Sequence, residues 1–420
     1  MEPTTSFVAA SALRAANTAN AWKPFTRKGL ASVPLFFAGW FTSELPLHAI
    51  GVQAVATGRH VARHGLDSKL SKAGLALNVG SWLALAAMYR QGQKSGELSE
   101  EVLSAGLGSS YRPATGPGEP ISAKQIALPL TSGRKRLLEA DNVDYGDAGR
   151  RHRLDVWRRA DLPPGAKAPV LLQVHGGGWV VGAKEEQGRP LMTHMCDQGW
   201  VCVAINYRLS PRATWPDHIV DVKRAIAWIR ENIAAYGGDP DYIAITGGSA
   251  GGHLSSLAAL SANAPVFQPG FEDVDTTIRA AAPMYGVYDF LNRDGSGRED
   301  MKEMLERVVL KTAEHEQPHI WEQASPLTWV HDDAPPFMVT HGTNDGLVPV
   351  EQARTFAASL REQSEQPVVY LELPGTQHAF EVFGSARATR VVRSVGNFFQ
   401  HVYDQHQAEA DRGASTTVAP

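Results

Sequence analysis

Cysteine is almost missing from this chain: 420 residues hold two, Cys196 and Cys202. Two cysteines cannot build a disulfide framework or a structural zinc site, so both are expected to be buried free thiols. Charge is also sparse. Charged residues make up 20% and the net charge is −4, which leaves no basic footprint for nucleic acid. Uninterrupted apolar runs of the ~20 residues that cross a bilayer are lacking too. Residues 29–43 and 73–89 contain no Asp, Glu, Lys or Arg, but each is short, and Pro34, Glu44, Pro46, His48 and Asn78 break the pattern. The first twenty residues lack the apolar core and cleavage signature of a signal peptide. A cytoplasmic or membrane-associated location is therefore expected. There is no internal repeat and no low-complexity block.

What is present divides into three parts. Residues 1–110 form an apolar extension, expected to be helical after a poorly ordered start over residues 1–20. Lys23, Arg27, Lys28, Arg59, Arg63, Lys69, Lys72, Arg90 and Lys94 surround its apolar stretches. Basic residues beside apolar helices suit an anionic membrane surface, so residues 29–89 are candidates for peripheral membrane contact. A lid or brace on the rest of the chain is the preferred alternative. Residues 109–120 are rich in Gly, Pro and Ser and mark a boundary. Residues 121–404 alternate strand and helix, and residues 405–420 read as a polar tail. Strands alternating with helices imply a mostly parallel sheet with helices on both faces.

The organising stretch is residues 242–254, YIAITGGSAGGHL. Tyr242 to Thr246 read as a buried parallel strand. Gly247-Gly248-Ser249-Ala250-Gly251 matches G-x-S-x-G and leads into a helix-compatible run. Strand, tight turn and helix form the context in which such a serine is lifted out of a sheet as a nucleophile. Glycines on both sides let strand and helix approach each other. A second glycine cluster, His175-Gly176-Gly177-Gly178-Trp179, follows the apolar strand over 169–175. Three ordered glycines are entropically costly, and make sense where backbone N–H groups must reach a ligand. Gly177, Gly178 and Ala250 are the candidate oxyanion donors, each worth roughly 2.7–4 kcal/mol. His175 is read as a structural brace.

A nucleophilic serine needs a base, and the base needs an orienting acid. Among fifteen histidines, His378 stands out because its loop leaves the last apolar strand. Asp345 follows the strand over 337–341. Both loops leave carboxyl ends of strands, where open α/β sheets place their sites. The order Ser249, Asp345, His378 is that of the α/β-hydrolase architecture. Asp332 and Asp333 precede their strand, and Asp289 is a weaker rival. Trp179, Leu347 and Phe380 are expected to edge the substrate pocket, with residues 286–323 contributing to its roof.

Together HGGGW, YRLSP, GGSAGGHL, ASPLTWV, HGTNDGLVP and the His378 loop resemble the α/β-hydrolase carboxylesterases. The hormone-sensitive-lipase-like and feruloyl-esterase-like groups are most similar. The extension resembles that of actinobacterial Lip-type esterases. The resemblance implies an α/β-hydrolase fold and a serine esterase acting on small-molecule carboxylic esters, without metal or cofactor. The residues edging the pocket and the modest insertion over 286–323 point to esters of short to medium chain. An amidase or arylformamidase is the enzymatic alternative. A non-catalytic ligand-binding protein on the same fold is the other. One position departs from the pattern: hormone-sensitive-lipase relatives carry an acidic residue before the serine, where this chain has Gly248. Nothing in the sequence sets the oligomeric state.

Overall fold

A computed structural model of the chain describes residues 2–130, 133–163 and 165–416. Four helices come first: α1 (Pro3–Trp22), α2 (Ser32–Glu44), α3 (Pro46–His64) and the long α4 (Lys69–Leu107). Two short helices, α5 (Ala123–Ala127) and α6 (Arg134–Leu137), lead into the sheet. Its strands are β1 (Leu138–Asp144), β2 (Arg153–Trp157), β3 (Ala168–Val174), β4 (Val201–Ile205), β5 (Gly238–Gly248), β6 (Ala280–Met284), β7 (Phe337–Gly342) and β8 (Val368–Leu373). Between and after them come α7 (Arg189–Asp197), α8 (Asp217–Asn232), α9 (Ala250–Leu260), α10 (Glu299–Met304), α11 (Pro318–Gln323), α12 (Val350–Gln363) and α13 (Ala386–Thr416).

The eight strands lie in the order β1-β2-β4-β3-β5-β6-β7-β8. The β1–β2 and β2–β4 pairs are antiparallel, and every other pair is parallel. This is the α/β-hydrolase fold expected from the alternating pattern. The central strands β3, β4, β5, β6 and β7 read as near-continuous apolar runs because helices cover both of their faces. One core cluster joins α8, α9 and α12 to the sheet. The other joins α7 and α13 to the opposite face. Leu103 and Leu107 of α4 belong to this second core.

Two expectations are corrected here. Residues 3–22 form a regular helix rather than a poorly ordered start. Seven alanines give the segment strong intrinsic helicity, Pro3 suits its first turn, and small residues let it lie close against α4, where Phe7 fills the space beside Gly74. At the other end, the segment read as a polar tail from residue 405 continues α13 through Thr416. Residues 417–420 of that tail lie outside the described residues.

Candidate active site

The parallel register brings the carboxyl ends of five strands to one edge. Val174 of β3 lies beside Gly247 of β5, and Gly247 beside Pro283 of β6. Met284 lies beside Thr340 of β7, and Gly342 beside Leu373 of β8. The segments leaving that edge carry the HGGG loop, Ser249, Tyr285, Asp345 and His378.

Ser249 joins β5 directly to α9 with φ 58° and ψ −122°. A non-glycine residue at positive φ is strained, and here the turn holds it. Ser249 N–H donates to Met284 O at 3.0 Å. The glycines around it are sterically required: a Cβ on Gly251 would collide with the Val174 carbonyl, and one on Gly252 would sit 2.8 Å from Met284 O. A side chain on Gly248 would run into the Tyr285 phenol. That occupied space is why glycine stands where the hormone-sensitive-lipase pattern has an acid.

The HGGG loop is anchored at its first half and open at its second. Gly176 N–H is taken by Gln187 Oε1 at 2.7 Å. Gly177 and Gly178 adopt φ values of 123° and 60°, conformations that glycine reaches without a Cβ penalty. Among the described residues, no acceptor takes the amides of Gly177, Gly178 or Ala250 in a loop or side-chain hydrogen bond. His175 stacks on Tyr207 with ring centroids 4.3 Å apart and bonds Gly176 O through Nδ1 at 2.8 Å. Burial pushes its imidazole down to about 4, so it stays neutral and braces the loop, as read from the sequence.

His378 Nδ1 lies 2.6 Å from Asp345 Oδ2, and both side chains are buried. Asp345 Oδ2 also meets His341 Nε2 at 3.1 Å, while Oδ1 accepts the amides of Leu347 and Val348, each at 2.8 Å. Burial alone would raise this carboxyl. The facing charge of His378 and the hydrogen bonds from His341 and His378 outweigh burial and hold it well below the usual carboxylate range. The Asp345 bond fixes the His378 tautomer with Nδ1 protonated, which leaves Nε2 as the basic nitrogen. Asp289, the weaker rival, is engaged with Arg293 instead.

Comparison with known proteins gives the family. The BD-FAE family matches residues 155–360. The chain is 44% identical to the probable carboxylic ester hydrolase LipM of Mycobacterium tuberculosis, over 97% of this chain and 96% of that protein. Esterase LipQ of the same organism is 42% identical, over 91% of this chain and 88% of its own length. The chain belongs to the Lip-type carboxylic ester hydrolases. Among solved structures, a truncated carbohydrate esterase from gut microbiota superposes with a TM-score of 0.58 at 23% identity, covering 65% of this chain and 99% of that one. The thermophilic esterase Est2 of Thermogutta terrifontis gives 0.53 at 25% identity, covering 64% and 91%.

In this esterase the N-terminal segment reaches the loops that carry Asp345 and His378, at contacts the sequence did not reveal. Asn344, next to Asp345, donates to Trp22 O at 2.7 Å and accepts from Arg27 at 3.0 Å. Trp40 Nε1–H of α2 donates to Ala379 O at 2.9 Å. The Phe36 ring stands edge-on to His378 at 6.1 Å. At the end of α2, buried Glu44 pairs with buried Arg387 and accepts from Ser385 at 3.0 Å.

Tyr285 was also missed. Its ring lies 4.4 Å from that of His378, and its hydroxyl donates to buried Glu381. A signal existed, since Tyr285 is the first residue after β6 at the site's edge. Of the three residues expected to edge the pocket, only Leu347 keeps an exposed share. Trp179 and Phe380 are sealed. Trp179 donates to His253 Nδ1 at 3.2 Å, and Phe380 packs on Tyr285, so both support the site from behind.

Proposed function

We propose that Ser249, His378 and Asp345 hydrolyse short- to medium-chain carboxylic esters through an acyl-enzyme. The observation that carries this is the buried 2.6 Å pair of His378 and Asp345 at the sheet edge that also bears Ser249. His378 Nε2 takes the Ser249 proton as Oγ attacks the ester carbonyl. The oxyanion is held by the amides of Gly177, Gly178 and Ala250. His378 returns the proton to the departing alcohol, and water then repeats the sequence on the acyl-enzyme. Leu347 edges the pocket, and Phe36 of α2 packs edge-on against His378. The preference for short acyl groups is supported by Est2, which has been solved with butyrate and with propionate bound.

The N-terminal helices serve as a brace over the catalytic loops, since they hold Asn344, Ala379 and Arg387 directly. Peripheral membrane contact through residues 29–89 accompanies that role.

Ser249→Ala should abolish fluorophosphonate labelling and nearly all turnover while the protein still folds. Est2 has been solved phosphonylated by sarin, which supports the choice of probe. A panel of p-nitrophenyl esters should peak at short to medium acyl length. A peak at palmitoyl, or faster turnover of N-formylkynurenine than of any ester, refutes the substrate assignment.

A further inference from the structure

The helices α1 to α4 are arranged inside out over residues 3–94. Of the eighteen exposed large apolar side chains among the described residues, fourteen lie between Leu13 and Leu83. Leu13, Leu30, Val52 and Leu83 are each 69–79% exposed. The interior of the same bundle is small and polar: Ser11, Thr18, Gln53, Ser71, Asn78 and Ser81 are all buried. Its apolar core is small: Ala21, Leu85 and Met88 with Ala49 and Ile50 packed against them, and Phe7 and Phe36 buried separately. Asn78 Nδ2 donates to Ser11 Oγ at 2.9 Å, tying α4 to α1. A bundle facing water places its apolar stripe inward. Close packing of small residues, with polar side chains bonded between helices, is how helices associate when the surroundings are lipid.

We propose that the outer face of α1–α4 docks on an anionic lipid bilayer, lying at the interface rather than crossing it. No helix among the described residues is long and apolar enough to span. Charge selects the occupant. Residues 1–94 carry ten Lys and Arg against three Asp and Glu, and one of those three, Glu44, is buried against Arg387. A second copy of this chain would bring like charge against like, whereas anionic headgroups neutralise it. An open apolar cavity of about 1240 Å³ between α1 and α4, lined by Trp22, Phe25 and Leu77 with Lys23, offers room for acyl chains. The face is coupled to the site through α2, whose exposed Phe37 and Phe41 flank the helix that sets Phe36 against His378.

Flotation of the full-length protein with vesicles tests this, and needs no catalysis. The protein should float with equal phosphatidylcholine and phosphatidylglycerol, and much less with phosphatidylcholine alone or at high salt. Leu13→Gln and Leu83→Gln should each weaken binding roughly tenfold, and Lys28→Gln and Lys72→Gln roughly fivefold each, with hydrolysis of soluble esters unchanged. Ser249→Ala should float like the wild type, so a failed esterase assignment would leave this result standing. Full-length protein that stays unbound to anionic vesicles overturns the proposal. So does a stable dimer in solution that Leu83→Gln dissociates, because a second copy would then own the face.

Discussion

Asp345 engages both carboxylate oxygens: two imidazoles meet Oδ2 and two backbone amides meet Oδ1. An oxygen shared between His378 and His341 holds the acid in one rotamer. His341→Leu removes an N–H that Asp345 Oδ2 at 3.1 Å shares with Val348 O at 3.0 Å, a hydrogen bond to a charged group being worth up to about 3 kcal/mol. Turnover should fall roughly tenfold or more, mostly in kcat, with Ser249 still labelled by fluorophosphonate. The sequence made Asp345 and His378 legible because each sits in a short loop after an apolar strand, a local signal. His341 lay in the same motif, but its role depends on β7 turning its ring back toward Asp345, which no spacing reveals. Trp179 was misplaced for a related reason. Its φ of 61° directs the indole inward onto His253. His253 in turn accepts from Trp179 and bonds Ala324 O at 2.7 Å. Burial pushes its imidazole down to about 3 from 6.5, although the Ala324 carbonyl pulls the other way. The fold therefore binds the neutral ring. The unfolded chain takes up a proton below about pH 6.5, so stability is lost as pH falls from there toward about 3, by up to ~1.4 kcal/mol per pH unit. Buried His175, His194 and His218 are pushed down in the same direction. Urea melts at falling pH should therefore show at least that slope, and His253→Gln, which keeps a donor and an acceptor without titrating, should reduce it by up to ~1.4 kcal/mol per pH unit.

At the scale of elements, the parallel strands and their helices were legible because they are uniformly apolar or amphipathic over their whole length. The docking of α2 was not. Its seat is made of Glu44 against Arg387, and of Gly39, whose Cβ would lie 2.7 Å from Gln377. In the sequence, Glu44 reads as an interruption of an apolar stretch. In the structure it is the buried anchor of that stretch. Removing one partner of a buried ion pair costs about 3–5 kcal/mol, because the other charge is left uncompensated. Glu44→Ala should lower the melting temperature accordingly, while Glu44→Leu combined with Arg387→Leu should recover most of the loss. Equal damage from the single and double variants would show that packing of α2, rather than the charge pair, sets its stability.

For the whole molecule, α4 joins the extension to the catalytic core. Its last turns supply Leu103 and Leu107 to the core shared with α13, and Gly92 and Gly96 let it lie against Arg387 and Arg390. A chain beginning at Ser109 should therefore aggregate or lose ester turnover, because a large apolar patch is uncovered. Size-exclusion chromatography checks this, and a monomeric, fully active product would refute the brace. The pairing of Glu44 with Arg387 also spans 343 residues. At roughly 5–20 residues per second, α2 waits roughly 17–70 s on the ribosome before its cation is made. Through that interval Phe36 and Trp40 have no His378 loop to rest on. The first helices synthesised are thus the last to be seated, and substitutions confined to the final helix should expose the beginning of the nascent chain to chaperones and proteases.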